Sequence, residues 1–354
     1  MNLISRLLPA AAFGALLCGQ VVSRSIPLRG DGYFPVLVQL KDNSLLAVLR
    51  GGGPHVGKGG RLDLIHSRDA GKSWSKPRLL VDGPEDDRNP ALGQLRDGTV
   101  IAAFAILSGY GADGKLARER SKRIFEGVYV TQSKDGGKTW SKPELSRPIH
   151  QFYWGQGAVS PYGKIVQLSD GTVLMAVYFE FHDQRGNESY IFRSRDSGRT
   201  WGEPTLIGKH YNETGILALP GDRVLAALRS EKGGSVSIAS SPDGGKTWSD
   251  PVQVTENSEH PADLIRLRDG RVLMTFGDRL APRGVRAVFS KDEGKTWDTA
   301  GTVQLADDSP NSDCGYPSSV ETRRGTIVTL YYQVDDLNKA PESASARSVI
   351  WKAP

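Results

Sequence analysis

Cysteine is almost absent. The 354-residue chain contains only Cys18 and Cys314, which excludes a disulfide framework and leaves packing to hold the fold. The 6 histidines are scattered, and no Cys/His group has metal-ligand spacing. No glycine-rich phosphate loop or dinucleotide fingerprint appears either, so neither a metal nor a cofactor is expected. Lys and Arg exceed Asp and Glu by 45 to 40. The excess is dispersed, with no basic run or basic amphipathic helix, which argues against a nucleic-acid partner. Beyond the N-terminus no apolar run is long enough to span a bilayer, and helical periodicity is scarce throughout.

The first residues, MNLISRLLPAAAFGALLCGQVVS, read as a leader for export. Arg6 supplies a short basic start, the apolar stretch is too short for a membrane anchor, and small residues near Ser23 suit cleavage. The domain reading is therefore a signal peptide over 1–23 and one domain over 24–354, with an exported product. Cys18 offers a lipoprotein alternative, weakened by Leu17 where a small residue is wanted. Loss of the leader would leave Cys314 alone.

Repetition is what the chain has in abundance. SRDAGKSW from Ser67, SKDGGKTW from Ser133, SRDSGRTW from Ser194, SPDGGKTW from Ser241 and SKDEGKTW from Ser290 are 5 versions of one octapeptide. A second repeat interleaves with it: LVQLKDNSLLAVL from Leu37, LGQLRDGTVIAAF from Leu92, IVQLSDGTVLMAV from Ile165, ILALPGDRVLAAL from Ile216, LIRLRDGRVLMTF from Leu264 and SVETRRGTIVTLYY from Ser319. Each is a strand, a tight turn rich in Asp, Asn and Gly, and a second strand. Six hairpins, 5 of them followed by an octapeptide, predict an all-β, six-bladed β-propeller of four-stranded antiparallel sheets. A pair of β-sandwiches explains the strands but not the sixfold beat. The last repeat lacks an octapeptide, so the segment near Arg24–Leu28 is expected to supply its outer strand and close the ring.

The octapeptide itself reads as structural. Its Ser and Asp accept backbone N–H groups across a turn, its Gly takes positive φ, and its Trp packs between sheets. Asp69, Asp135, Asp196, Asp243 and Asp292 are accordingly not expected to do chemistry. With the hairpin turns and octapeptides on one face, strand parity puts the start of each first strand and the end of each second strand on the other. Aromatic, acidic, His and Arg residues gather in those segments, the makeup of a carbohydrate site with a glycan partner.

Octapeptides of this form on a six-hairpin chain resemble the Asp-boxes of the sialidase (neuraminidase) family, from about Gly30 to the C-terminus. The resemblance implies an exported glycoside hydrolase acting on a terminal acidic sugar with retention. GYPSS after Asp313 is similar to the segment presenting the family's nucleophilic tyrosine, which makes Tyr316 the matching position. NETG places Glu213 as its activating base. A neutral phenol suits a substrate whose anomeric carbon bears a carboxylate, because a carboxylate nucleophile would be repelled.

The family also clamps that carboxylate with three arginines. Arg229 matches the second and Arg286 the third, with Arg279 competing. Where the first is expected the chain has Tyr33-Phe34-Pro35, with Arg50 or Arg88 as replacements from the same face. The family's acid, an Asp after the first hairpin, is missing too. Asp63 is read as lying on a third strand, leaving His55, or Asp86 or Asp87, as the candidate proton donor. His260, Asp263 and Asp313 complete the candidate substrate-binding set. Two alternatives stay open: a glycosidase for another sugar, with His55 or His260 in an acid or base role and Tyr316 only stacking, and a binding propeller without turnover.

Overall fold

The computed structural model describes residues 20–117, 124–153, 157–181, 185–336 and 343–354. Residues 1–19 of the expected leader lie outside them. After β1 (Gln20–Arg29), the first sheet is β2 (Tyr33–Gln39), β3 (Leu45–Gly51), β4 (Arg61–Ser67) and β5 (Arg78–Val81), antiparallel in chain order. The same run recurs as β6 (Asp86–Gln94), β7 (Val100–Ser108), β8 (Ile124–Ser133) and β9 (Glu144–Leu145). A seven-residue helix α1 (Arg147–Tyr153) follows where the sequence reads only as an approach to a strand, and leads into β10 (Gly157–Gln167), β11 (Val173–Phe181), β12 (Asn187–Ser194) and β13 (Gly202–Lys209). Next come β14 (Tyr211–Ala218), β15 (Val224–Ser230), β16 (Val236–Ser241) and β17 (Val252–Gln253), then β18 (Glu259–Arg266), β19 (Val272–Asp278), β20 (Gly284–Ser290) and β21 (Val303–Ala306). The last sheet joins β22 (Cys314–Glu321), β23 (Ile327–Asp336) and β24 (Ser343–Lys352) to β1.

The fold is all-β and propeller-like. The described residues form four four-stranded sheets and one eight-stranded sheet, in which β6 and β10 run parallel at Ala91–Gly163 and Leu92–Lys164. β1 takes the outer position beside β24, with Arg24 opposite Val349 and Leu28 opposite Ala346, as the ring-closure argument requires. The first strands pack in a cycle: β2 on β6, β6 on β10, β10 on β14, β14 on β18, β18 on β22 and β22 on β2.

Burial explains the strand sequences. Second strands such as β3 and β15 are covered on both faces by neighbouring sheets, so they read as continuous apolar runs rather than alternating ones. The core is correspondingly a set of layers between sheets. One layer joins Leu37, Leu45 and Leu49 to Val328, Leu330 and Ile350 across the closure.

The octapeptides behave as the chemistry of the turn demands. In the second, Ser133 Oγ accepts from Gly137 N at 2.8 Å and donates to Asp135 Oδ1, while Thr139 Oγ1 donates to Asp135 Oδ2 at 2.6 Å. Gly137 sits at φ 83°, and a Cβ there would come within 2.8 Å of Leu46 in the preceding sheet. The tryptophans are less uniform than their repetition suggests. Of the five octapeptide tryptophans, Trp201 is fully buried, whereas Trp74, Trp140, Trp248 and Trp297 are half-buried.

Candidate active site

All 6 first strands carry a register break, near the start in every one but β10: Tyr33/Val36, Arg88/Ala91, Tyr162/Val166, Tyr211/Thr214, Glu259/Ala262 and Gly315/Ser318. Such bulges re-aim side chains, and Phe34, Tyr162 and Tyr316, beside three of them, pack together. At three of them the residue before a proline lies in the left-handed region: Phe34, Asn89 and Tyr316 at φ 52°, 51° and 50°. For bulky residues this conformation is costly and persists only where the surroundings impose it, a pattern that concentrates at functional sites.

Tyr316 is the centre of what gathers there. Its phenol donates to Glu213 Oε1 at 2.6 Å, and Arg229 Nη1 donates to Glu213 Oε2 at 2.5 Å and to the phenol oxygen at 3.2 Å. The Arg279 guanidinium stands 5.7 Å from the Tyr316 ring centre, and its Nε and Nη2 are buried with no hydrogen-bond partner. Phe34, Tyr332 and Tyr162 surround the ring at 4.9, 5.5 and 6.2 Å. Burial and the Glu213 charge push the phenol pKa up, against the pull of Arg229 and Arg279. The resting tyrosine is therefore protonated, and its proton is already aimed at a carboxylate.

The structure sorts the arginines expected from the sequence. Arg229 and Arg279 flank Tyr316, and Arg88 lies 5.9 Å from the Phe34 ring centre with Nη1 on Asp86 Oδ2 at 3.2 Å. Arg50 is engaged elsewhere. It is fully buried, its Nε donates to Asp86 Oδ1 at 2.8 Å, and its other nitrogens reach the Pro54 and Gly57 carbonyls. Arg286 is likewise committed, with Gln304, Glu259 and Asp278 within 2.9 to 3.0 Å of its three nitrogens. Of the two contenders for the third position, Arg279 is the one beside the phenol.

The acid candidates separate as sharply. Asp86 is enclosed by Arg50, Arg88 and the Tyr110 hydroxyl. Asp87, also fully buried, turns its Oδ2 onto Gly83 N at 2.6 Å. Burial, with Asp86 adding to it, raises its pKa to about 6. Asp63 lies in β4, tied to Arg61 at 3.0 Å. His260 has its pKa pushed down to about 2 by burial, then by Arg229 and Arg279, so it stays neutral and cannot donate as an imidazolium. Asp263 accepts from Lys164 Nζ at 2.6 Å and from Ser319 N at 2.8 Å, linking β10, β18 and β22 at the axis. His55 Nδ1 meets both Asp313 oxygens at 2.9 Å, and Tyr332 donates to Asp313 Oδ1 at 2.5 Å.

Sequence reasoning missed Asn89, which bridges Ser160 and Tyr178 at 2.8 and 2.9 Å, and the aromatic ring set around Tyr316. The signal was present, because Pro35, Pro90 and Pro317 each stand two residues before their hairpin. Beside Asn89 opens a hollow of about 170 Å³ walled by Arg88, Leu107, Phe125, Tyr178 and Phe181.

The relatives are consistent with this geometry. The BNR repeat-like domain matches residues 84–329. A sialidase of Paraclostridium sordellii is 26% identical over 153 residues, covering 38% of this chain and 36% of its own length. The chain thus spans about a third of that relative. A solved protein of unknown function from Dyadobacter fermentans superposes with TM-score 0.77 at 25% identity, covering 94% of this chain and 99% of its own. An intramolecular trans-sialidase from Ruminococcus gnavus does so with TM-score 0.69 at 16% identity, covering 94% and 98%, and so shares the fold. With most of its length matched and its repeats accounted for, the chain belongs to the BNR repeat-like, sialidase-like family.

Proposed function

We propose that this protein is a retaining exo-glycosidase that releases a terminal acidic sugar from glycans, built as a six-bladed propeller in which the eight-stranded sheet counts as two blades. The observation that carries the reading is the 2.6 Å hydrogen bond from the Tyr316 phenol to Glu213, with Arg229 donating to both. As Glu213 takes the phenol proton, the phenol oxygen attacks the anomeric carbon and forms a glycosyl–tyrosine bond while the glycosidic C–O bond breaks. Water then displaces the phenolate, which recovers its proton from Glu213, and the proton that water gives up balances the one taken by the departing glycosidic oxygen. Arg229 and Arg279 supply the positive field for a carboxylate on the same carbon, and Arg88 stands where a third cation is wanted.

A fluorogenic sialoside tests the activity, and NMR of the first product tests retention. An activated sialoside bearing fluorine beside the anomeric centre should leave its sugar on Tyr316, read by peptide mass. Hydrolysis without a tyrosine adduct, or with inversion, would overturn the mechanism. Tyr33 and Phe34 in place of the first arginine favour a second reading, a glycosidase for a sugar with a weaker demand for cations. Turnover of neutral glycosides and not of sialosides would select it. Glycan binding without turnover would identify a binding module instead.

A further inference from the structure

We propose that His55, oriented by Asp313, is the acid that protonates the departing glycosidic oxygen; this deepens the glycosidase reading and rests on it. A poor leaving group needs a proton as its bond breaks. The segment from Gly51 to Gly60 between β3 and β4 contains no carboxylate. Of the carboxylates near it, Asp31 and Asp63 pair with Arg61 and Asp86 with two arginines and a tyrosine, while Asp87 is fully buried, with Oδ2 on the Gly83 N–H and Oδ1 without a partner.

His55 is differently placed. Its ring meets Phe34 edge-on at 5.0 Å, and Phe34 in turn packs against Tyr316 at 4.9 Å, so imidazole and phenol share one aromatic wall. Tyr33 and Tyr332 complete the wall at 5.6 and 6.4 Å from the imidazole. The side chain is 31% exposed. Asp313 accepts from Nδ1, fixing that nitrogen as protonated and leaving Nε2 to carry the transferable proton. Burial works against the Asp313 charge, but the bond from His55, its charge, Tyr332 and Arg279 hold its pKa below the ordinary value, so the carboxylate is ionised when needed.

The loop that presents His55 is itself pinned. Arg50 Nη1 donates to the Pro54 carbonyl at 2.6 Å and Nη2 to the Gly57 carbonyl at 3.1 Å, on either side of His55, while Asp86 secures the guanidinium. The buried arginine at the position of a substrate clamp thus becomes a positioning residue for the acid. The step balances. As the Tyr316 oxygen bonds to the anomeric carbon and Glu213 takes its proton, the glycosidic electron pair passes to the leaving oxygen, which takes the proton of His55 Nε2. In the second step neutral His55 takes a proton from the attacking water.

The test compares kcat/KM for two sialosides, a 4-nitrophenyl glycoside and an alkyl glycoside whose leaving oxygen needs a proton. His55→Gln should lose about 10²- to 10⁴-fold on the alkyl glycoside and at least about tenfold less on the nitrophenyl one. Asp313→Asn should show the same selective loss with a smaller amplitude, and Asp313→Glu should recover part of it. Equal losses on both glycosides in His55→Gln and Asp313→Asn, or no loss, overturn this inference while the wild-type activity leaves the glycosidase reading standing. Wild-type protein that hydrolyses neither sialoside overturns both. A His55→Gln protein that does not fold leaves Asp313→Asn and Asp313→Glu to decide by the same split.

Discussion

The Tyr316 phenol and the Glu213 carboxylate, 103 positions apart, meet at 2.6 Å because β22 and β14 both bulge at the mouth of the ring. Neither group does the proposed chemistry alone. The phenol is held protonated by burial and by the Glu213 charge, so its nucleophilicity depends on giving up the proton as it attacks.

Tyr316→Phe should therefore reduce turnover by about 10³-fold or more, and Glu213→Gln by a comparable factor. The double variant should be little worse than the slower single, since the pair acts as one unit. Steady-state kinetics of all three, with thermal unfolding as a control, checks this. Multiplying losses would show two independent roles and break the nucleophile–base assignment.

Arg279→Lys should raise KM for an anionic substrate by about 10- to 100-fold, as loss of hydrogen bonds to a charged group does. The motive is a guanidinium beside Tyr316 with two buried nitrogens lacking partners. Arg286→Lys should instead lower the unfolding midpoint with little change in KM, because Arg286 neutralises Glu259 and Asp278. The opposite pattern would reinstate Arg286 as the clamp.

Why the resemblance pointed to Arg229 but left Arg286 and Arg279 in competition is a matter of what a local pattern encodes. Hairpins and octapeptides recur because local turn chemistry recurs, so strand order, ring closure by β1 and the segments forming the mouth were legible. Partner choice is not local. Arg50 and Arg229 occupy equivalent positions at the ends of β3 and β15, yet Asp86, 36 residues downstream, takes the first while the second reaches Tyr316. The His55–Asp313 pair spans 258 residues and involves different sheets. Only packing brings such groups together, and a sequence carries no period for it.

Trp201→Ala should destabilise the fold by about 3–5 kcal/mol, the range for truncating a buried aromatic. Trp201 is 1% exposed and its Nε1 donates to the Gly198 carbonyl at 3.1 Å. Trp140 makes the equivalent bond to Gly137 but is only half-buried, so Trp140→Ala should cost distinctly less. Denaturant midpoints of the two variants rank them. Equal losses would mean that the turn bond, common to both, matters more than the packing.

The octapeptide aspartates should make the fold acid-sensitive at low pH. Asp292 has its pKa lowered to about 2 by the Thr296 side chain, the Thr296 backbone and Ser290, and Asp243 reaches about 2 because Thr247 and Ser241 outweigh its slight burial. A carboxylate with a depressed folded-state pKa binds its proton more readily in the unfolded chain. Its stabilising contribution is complete above the unfolded value near 4 and falls away as pH drops toward 2. The unfolding midpoint should thus decline steeply from about pH 4 to pH 2. Asp292→Asn should start from a lower midpoint at neutral pH and decline less in that window, because one of the protonating groups is gone. An unchanged slope in Asp292→Asn would show that acid sensitivity arises elsewhere, with Asp243 and Asp69, both lowered to about 2, the next carboxylates to replace.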